Sequence, residues 1–239
     1  MLITIVVANQ KGGVGKTTTA LNLAASLSAA SRKVLLIDLD SQGNSTTGIG
    51  KEKAEGKNSL VDVLIKKEQI LDLIIQESGY KFDLIPASSD LISAEIELSP
   101  LKNPTSILRS KLDQIKDKYD YTVIDCPPSL GMLSVSALRA ASKVLIPLQC
   151  EYYSLEGLAA MDKTIKEINQ ATGENIEIDG ILRTMYDSRI RLSREVSKEL
   201  EEHFSEKLCD TVIPRNVKLA EAPSFGMPAL YYEPEAKGT

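Results

Sequence analysis

The chain has 239 residues, of which 43% are hydrophobic and 26% charged, with a formal net charge of −5. That is enough for one α/β domain with a sizeable core, in the range of ordinary soluble globular proteins. It gives no overall basic excess of the kind that marks a nucleic-acid binder, though a local cationic patch stays open. Leu2–Ala8 reads as a buried strand, too short for a membrane span or a secretory core. Helical spacing follows over Thr17–Ala30, then a second buried strand over Val34–Asp38. The stretch from Gly43 to Gly79 is irregular and reads as a mobile loop leading into helices near Leu60–Ile65 and Ile70–Ile75. Further strands are expected at Lys81–Pro86, Tyr121–Asp125, Lys143–Leu148, Ile176–Leu182 and Thr211–Ile213, with helices at Ser106–Lys118 and Leu155–Gln170. The tail Glu233–Thr239 is short and polar. Apolar strands alternating with helices predict an α/β fold: a doubly wound, mostly parallel sheet with helices on both faces. Residues 1–239 read as one domain.

Cys126, Cys150 and Cys209 lie far apart without a CxxC pair, which speaks against a zinc ribbon or a disulfide framework. They read as buried thiols in a reducing compartment. The single histidine, His203, falls in a helical stretch and reads as structural or surface-exposed.

The densest motif follows the first strand. Lys11, Gly12, Gly13, Val14, Gly15, Lys16, Thr17 and Thr18 stand between a strand and a helix. Glycines let backbone N–H groups curl around a phosphate, and the helix N-terminus adds its dipole. Lys16 supplies a point charge for the β and γ phosphates, and the Thr17 hydroxyl suits Mg²⁺. The usual GxxxxGK[ST] spacing fails, because Gln10 stands where its first glycine belongs. An extra lysine, Lys11, sits inside the loop instead, which is the deviant Walker A pattern.

Two apolar strands end in acids. Val34–Asp38 is followed by Asp40, and alternation would aim Asp38 and Asp40 the same way if the strand persisted. Tyr121–Asp125 ends in an aspartate that is either a Walker B group or a helix cap. Mg²⁺ keeps several waters, so Thr17 is the expected direct ligand, with Asp38 and Asp125 acting through water and Asp40 positioning the attacking water. The expected chemistry is in-line attack by water on the γ-phosphate of ATP.

The run Lys11–Thr18, the run from Asp38 to Ser45, Asp125-Cys-Pro-Pro-Ser, and Ile213-Pro-Arg-Asn-Val together resemble the ParA/Soj partitioning ATPases of the ParA/MinD superfamily. The resemblance spans Val6 to about Pro228. It implies the SIMIBI branch of P-loop NTPases, with ATP and Mg²⁺ as cofactors and slow hydrolysis. Lys11 would reach the phosphates of a second copy in an ATP-sandwiched homodimer. Pro214, Arg215 and Asn216 would flank the adenine. The dimer would bind double-stranded DNA without sequence preference, and a ParB/Spo0J-like protein would stimulate hydrolysis. A cytoplasmic, nucleoid-associated protein without stable membrane association is expected. Ser41 stands where the family often has proline, and Lys218 where arginine is common.

Arg189, Arg191, Arg194 and Lys218 fall near the family's DNA-contacting segment. From Arg183 to Lys218 there are eight Lys/Arg against seven Asp/Glu, so a cationic patch requires segregation of charge by face. Leu192, Val196 and Leu200 form an i, i+4, i+8 stripe expected to face the core, leaving Arg191, Arg194 and Lys198 outside. The arginines read either as a DNA contact or as a solvated helix face. Two other functions share parts of the pattern. A MinD-like membrane-cycling ATPase would need a cationic amphipathic C-terminal helix. A nitrogenase iron protein-like carrier would need a partner cysteine for Cys126.

Overall fold

The computed structural model describes residues 2–54, 59–65, 70–74 and 78–239; the side chain of residue 95 lies outside the description. Seven strands form one parallel sheet: β1 (Ile3–Val7), β2 (Val34–Asp38), β3 (Asp83–Ile85), β4 (Tyr121–Asp125), β5 (Lys143–Gln149), β6 (Ile178–Tyr186) and β7 (Leu208–Pro214). Their spatial order is β3-β2-β4-β1-β5-β6-β7. The helices are α1 (Lys16–Ala29), α2 (Asn44–Thr47), α3 (Leu60–Ile65), α4 (Ala94–Leu98), α5 (Ile107–Leu112), α6 (Met132–Ala140), α7 (Tyr152–Thr172), α8 (Arg191–Phe204), α9 (Val217–Glu221) and α10 (Ala229–Tyr232).

The period of two along each strand sorts the core onto two faces. Val7, Leu36 and Val123 pack with Ala20, Leu21 and Ala24 of α1 on one face. Their neighbours Val6, Ile37 and Ile124 pack with Leu133, Ala137 and Leu138 of α6 on the other. The chain leaves β1 through α1 toward β2, and leaves β4 through α6 toward β5 on the opposite side. The adjacent strands β1 and β4 therefore form the switch point at whose carboxyl ends ligands bind in open α/β sheets. Register places Val7 and Asp38 on either side of Asp125 there.

Several expectations shift. β6 runs past Leu182, because Arg183 and Thr184 are buried polar residues that interrupt the apolar signal, and β7 starts earlier than expected, at Leu208. The Arg183 guanidinium is held by the Ser197 hydroxyl at 2.8 Å and the Glu201 carboxylate at 2.6 Å. The helix expected over Ser106–Lys118 is α5 followed by a 3-10 turn, Asp113–Ile115. The helix α6 was not expected: Ser134 and Ser136 blur its apolar stripe, yet both are buried and donate their hydroxyls to the carbonyls of Ser129 and Met132. Within the irregular stretch the chain forms α2 and α3 and a 3-10 turn over Ile70–Leu73, while part of that stretch, 55–58, 66–69 and 75–77, lies outside the described residues. Cys126 and Cys150 are buried as expected, but Cys209 is only half-buried. Among the described residues no helix is long and apolar enough to cross a membrane.

Candidate nucleotide site

The loop between β1 and α1 is pinned from outside. Asn9 donates its side-chain N–H to the Pro147 carbonyl at 2.8 Å, and its Oδ1 accepts the Lys11 amide at 2.9 Å. Thr184 donates its hydroxyl to the Val14 carbonyl at 2.8 Å, and Gln149 donates to the Gly13 carbonyl at 3.1 Å. Gly13 and Gly15 adopt φ of 71° and 89°, a region that disfavours any side chain. A Cβ on Gly12 or Gly13 would meet nothing within 4 Å, so the loop borders open space. That space is a cavity of about 420 Å³, lined by the glycines, Lys16, Thr17, Thr18, Asp40, Gln42, Asn44, Pro128 and Met185.

Lys16 is nearly buried, and its ammonium donates to the Lys11 carbonyl at 3.0 Å. Burial pulls its pKa down, while the nearby Asp125 and Asp40 push it back up. Asp125 is fully buried, with its pKa raised to about 7 by desolvation and then by the neighbouring Asp38. Its Oδ2 accepts the Ser45 hydroxyl at 2.7 Å, and the Thr17 hydroxyl also supports the carboxylate. Its Oδ1 is buried without a hydrogen-bond partner. An orphaned carboxylate oxygen is costly to bury, and beside a threonine hydroxyl and an open phosphate-sized space it fits a hydrated Mg²⁺. Among the residues expected to approach the cation, these two fit.

Asp38 does not join that cavity. β2 ends at Asp38, so the alternation that would have aligned it with Asp40 stops one residue too early. Its carboxylate is fully buried and accepts the Thr46 amide at 2.8 Å, the Thr46 hydroxyl at 2.7 Å and the Asp40 amide at 3.3 Å. Desolvation lifts its pKa to about 6, against the lowering effect of the Thr46 bonds. Asp38 thus fastens α2 beneath the site, and Asp40 turns outward to line the cavity, where its Oδ1 accepts the Gln42 amide at 2.9 Å. Lys11 also lies outside the cavity lining: its ammonium pairs with Glu151 at 2.6 Å at the loop's edge. Sequence reasoning gave no individual site role to Gln42, Asn44, Pro128, Met185 or Glu151, although Gln42 and Asn44 stand in the Asp38–Ser45 run it singled out. Pro128 could have been found, since it belongs to the Asp125-Cys-Pro-Pro run.

Residues 2–178 match the family model described as an AAA domain. The chain is 45% identical over 234 residues to the sporulation initiation inhibitor protein Soj of Bacillus subtilis, covering 98% of this chain and 92% of that protein. It is 45% identical over 237 residues to the chromosome partitioning protein ParA of Caulobacter vibrioides, covering 98% and 89%. The chain belongs to the ParA/Soj family. Among solved structures, a Mycobacterium smegmatis protein described as cobyrinic acid a,c-diamide synthase, with bound ADP and magnesium, superposes with a TM-score of 0.84. That protein is 34% identical, and the match covers 95% of this chain and 93% of the other.

In this ParA/Soj-family chain a second, smaller cavity of about 120 Å³ opens beside the phosphate loop. Gly15, Thr18, Met185, Pro214 and Asn216 are among its lining residues. Pro214 and Asn216 thus lie beside the phosphate loop. Arg215 is exposed and does not line the cavity; its amide donates to the Tyr186 carbonyl at 3.2 Å. Asn216 also caps α9, with Oδ1 accepting the Lys218 amide at 2.8 Å.

Three of the four cations expected to contact DNA are paired with carboxylates where they stand. Arg189 makes two side-chain bonds to Asp187, at 2.9 and 2.7 Å, which holds that carboxyl down at about 2. Arg191 pairs with Glu195 at 2.7 Å and Lys218 with Glu221 at 2.9 Å. Arg194 differs, because its guanidinium donates to the carbonyls of Ser188 and Arg189 and, among the described residues, to no carboxylate. The expected core stripe also turns. Leu192 is 42% exposed, and the buried face of α8 is Ser193, Val196, Ser197 and Leu200. Ser197 belongs to that face because Arg183 lies beneath it and donates to the Ser197 oxygen.

Proposed function

We propose that this chain binds Mg·ATP in the cavity over the phosphate loop and hydrolyses the γ-phosphate slowly, as an ATP-dependent dimer that acts in chromosome or plasmid partition. The observation that carries this reading is the convergence of Lys16, Thr17 and Asp40 on one open space above a glycine loop, with the buried, orphaned Oδ1 of Asp125 next to Thr17. The chain also shares 45% identity with Soj and ParA over nearly its full length.

In this reading the loop amides and Lys16 hold the β and γ phosphates. Thr17 and Asp125 would hold the hydrated Mg²⁺, which when bound neutralises charge on the phosphate oxygens. Asp40 orients the attacking water, while Asp38 keeps α2 and the loop that carries Asp40 in place. Lys11 lies at the rim and outside its own cavity, which suits a role toward a second copy's phosphates. Reaching them requires its pair with Glu151 to open, a modest cost for so exposed a pair. Pro214 and Asn216 border the space for the adenine. In the ATP dimer Arg194 is the best-placed cation for a DNA phosphate, with Arg189, Arg191 and Lys218 available only by exchanging a carboxylate for a phosphate. A ParB-type protein would then stimulate turnover and release the dimer.

The deciding experiment is steady-state ATP hydrolysis with and without non-specific duplex DNA at two salt concentrations. Slow turnover that rises with DNA, and loses that rise at high salt, supports the reading. Absence of turnover overturns the ATPase. Turnover indifferent to DNA overturns the DNA-bound dimer, and pelleting with liposomes in that case would favour membrane cycling.

A further inference from the structure

Asp40 stands beyond the end of β2, so a turn, and no strand, aims its carboxylate at the cavity. That turn, residues 40–43, is closed mostly from within. The Gly43 amide donates to the Asp40 carbonyl at 2.8 Å, and the Gln42 amide to the Asp40 carboxylate at 2.9 Å. These bonds shape the turn without fixing it against the rest of the fold. A surface turn of small and polar residues opens easily when nothing outside grips it.

One side chain does grip it. The Lys53 ammonium donates to the Ser41 carbonyl at 3.1 Å, and among the described residues this is the one hydrogen bond that the middle of the turn receives from elsewhere. The lysine stem lies flat on Gly43: a Cβ there would stand 2.5 Å from Lys53 Cε and 2.9 Å from Cδ. Gly43 is buried beneath it, although Gln42 and Asn44 on either side are exposed. The base of the lysine is anchored as well. Ala54, the next residue, donates its amide to the Ala87 carbonyl at 2.8 Å and bridges to Ser88 just past the end of β3.

A lysine ordinarily leaves its ammonium free in water, and holding it on a single carbonyl costs rotamer freedom. Here the stem is packed and its base is fixed, so most of that freedom is lost already and the ammonium is directed at Ser41. Lys53 does not itself line the cavity, so any effect on chemistry passes through the turn. We propose that Lys53 is a positioning residue for hydrolysis: it clamps the turn 40–43 and thereby keeps the Asp40 carboxylate facing the γ-phosphate space. The catalytic half rests on the reading of Asp40 as the group that orients the attacking water; the clamp on the turn stands apart from it.

The test compares the parent with Lys53→Met, which keeps the stem over Gly43 and removes the donor, and with Lys53→Arg, which returns a donor. Hydrogen exchange on the full chain without nucleotide reads the clamp. The amides of Gln42 and Gly43 should exchange about tenfold faster in Lys53→Met and move back toward the parent in Lys53→Arg. Hydrolysis of radiolabelled ATP reads the consequence. The kcat of Lys53→Met should fall about tenfold with KM within about twofold, because a displaced aspartate loses rate and leaves substrate binding alone. Lys53→Arg should recover most of that rate. In an Asp40→Asn background Lys53→Met should lower kcat no further, since the two residues act as one unit. Equal exchange in parent and Lys53→Met overturns the clamp, and faster exchange throughout the chain with a lower melting temperature overturns it in favour of a general role in stability. Faster exchange of the turn with an unchanged kcat overturns the positioning role, as does a full further loss in the Asp40→Asn background. A parent with no turnover removes the ATPase reading and the catalytic half with it, while the exchange result still decides the clamp.

Discussion

The phosphate loop and the start of α8 both present cations, and they treat charge in opposite ways. Lys16 is taken almost out of water, fixed by the Lys11 carbonyl and set beside Asp125 and Asp40. Its charge is strong because little solvent screens it and its geometry is settled before any ligand arrives. Arg189 and Arg191 stand in solvent and already hold carboxylates two and four residues away. Exposed pairs of that kind are worth little and exchange readily, so they can meet a phosphate but cannot demand one. Burial, more than residue type, separates a site that selects its ligand from a surface that tolerates one.

The sharpest test of the contrast is Lys16→Ala. Removing the buried charge should lower ATP affinity by about 100-fold or more, read by calorimetric titration, since breaking a desolvated pair costs about 3–5 kcal/mol. A loss of only a few-fold would put Lys16 in the same class as the surface arginines. Asp40→Ala comes next. Turnover should fall by about 100-fold while ATP still binds, the usual scale for a group that positions or deprotonates a nucleophile. Lys11→Ala separates rim from interior: ATP affinity should stay within a few-fold of the parent, while the ATP-dependent dimer disappears in sedimentation. An unchanged dimer would confine Lys11 to its own subunit. Thr46→Val probes the support beneath the site and should cost about 1–3 kcal/mol in urea denaturation, because the buried Asp38 carboxylate loses a hydroxyl donor. The smallest effect belongs to α8. Arg194→Ala should weaken duplex binding several-fold and lower the salt slope by about 1. Arg191→Ala should do less, since that guanidinium is already shared with Glu195.

Most of the phosphate site was legible because its chemistry is local. Between Lys11 and Thr18 a strand end, glycines, two lysines and a helix start are contiguous, and each has a physical reason that needs no distant partner. A place for Pro214 and Asn216 at the adenine was suggested only by the family resemblance, since nothing in their own types points to a purine. The helix α6 escaped notice because serine is neutral in a pattern of apolar residues. What makes Ser134 and Ser136 acceptable inside is a nearby carbonyl, which the pattern does not display.

By itself the sequence determined the alternation of strands and helices, the place of the phosphate loop and the acids at strand ends, since these follow from periodicity and short-range chemistry. The tertiary structure alone decided which acid does what. Asp38 and Asp125 read alike as terminal aspartates of apolar strands, and they sit side by side in register. Thr46 arrives from α2 to satisfy the first, while one oxygen of the second is buried without a hydrogen-bond partner. The same holds on α8, where Arg183 beneath the helix draws Ser197 inward and leaves Leu192 outside. Such choices depend on which donors the rest of the fold brings to a buried charge, and a buried charge must take the partners it is given.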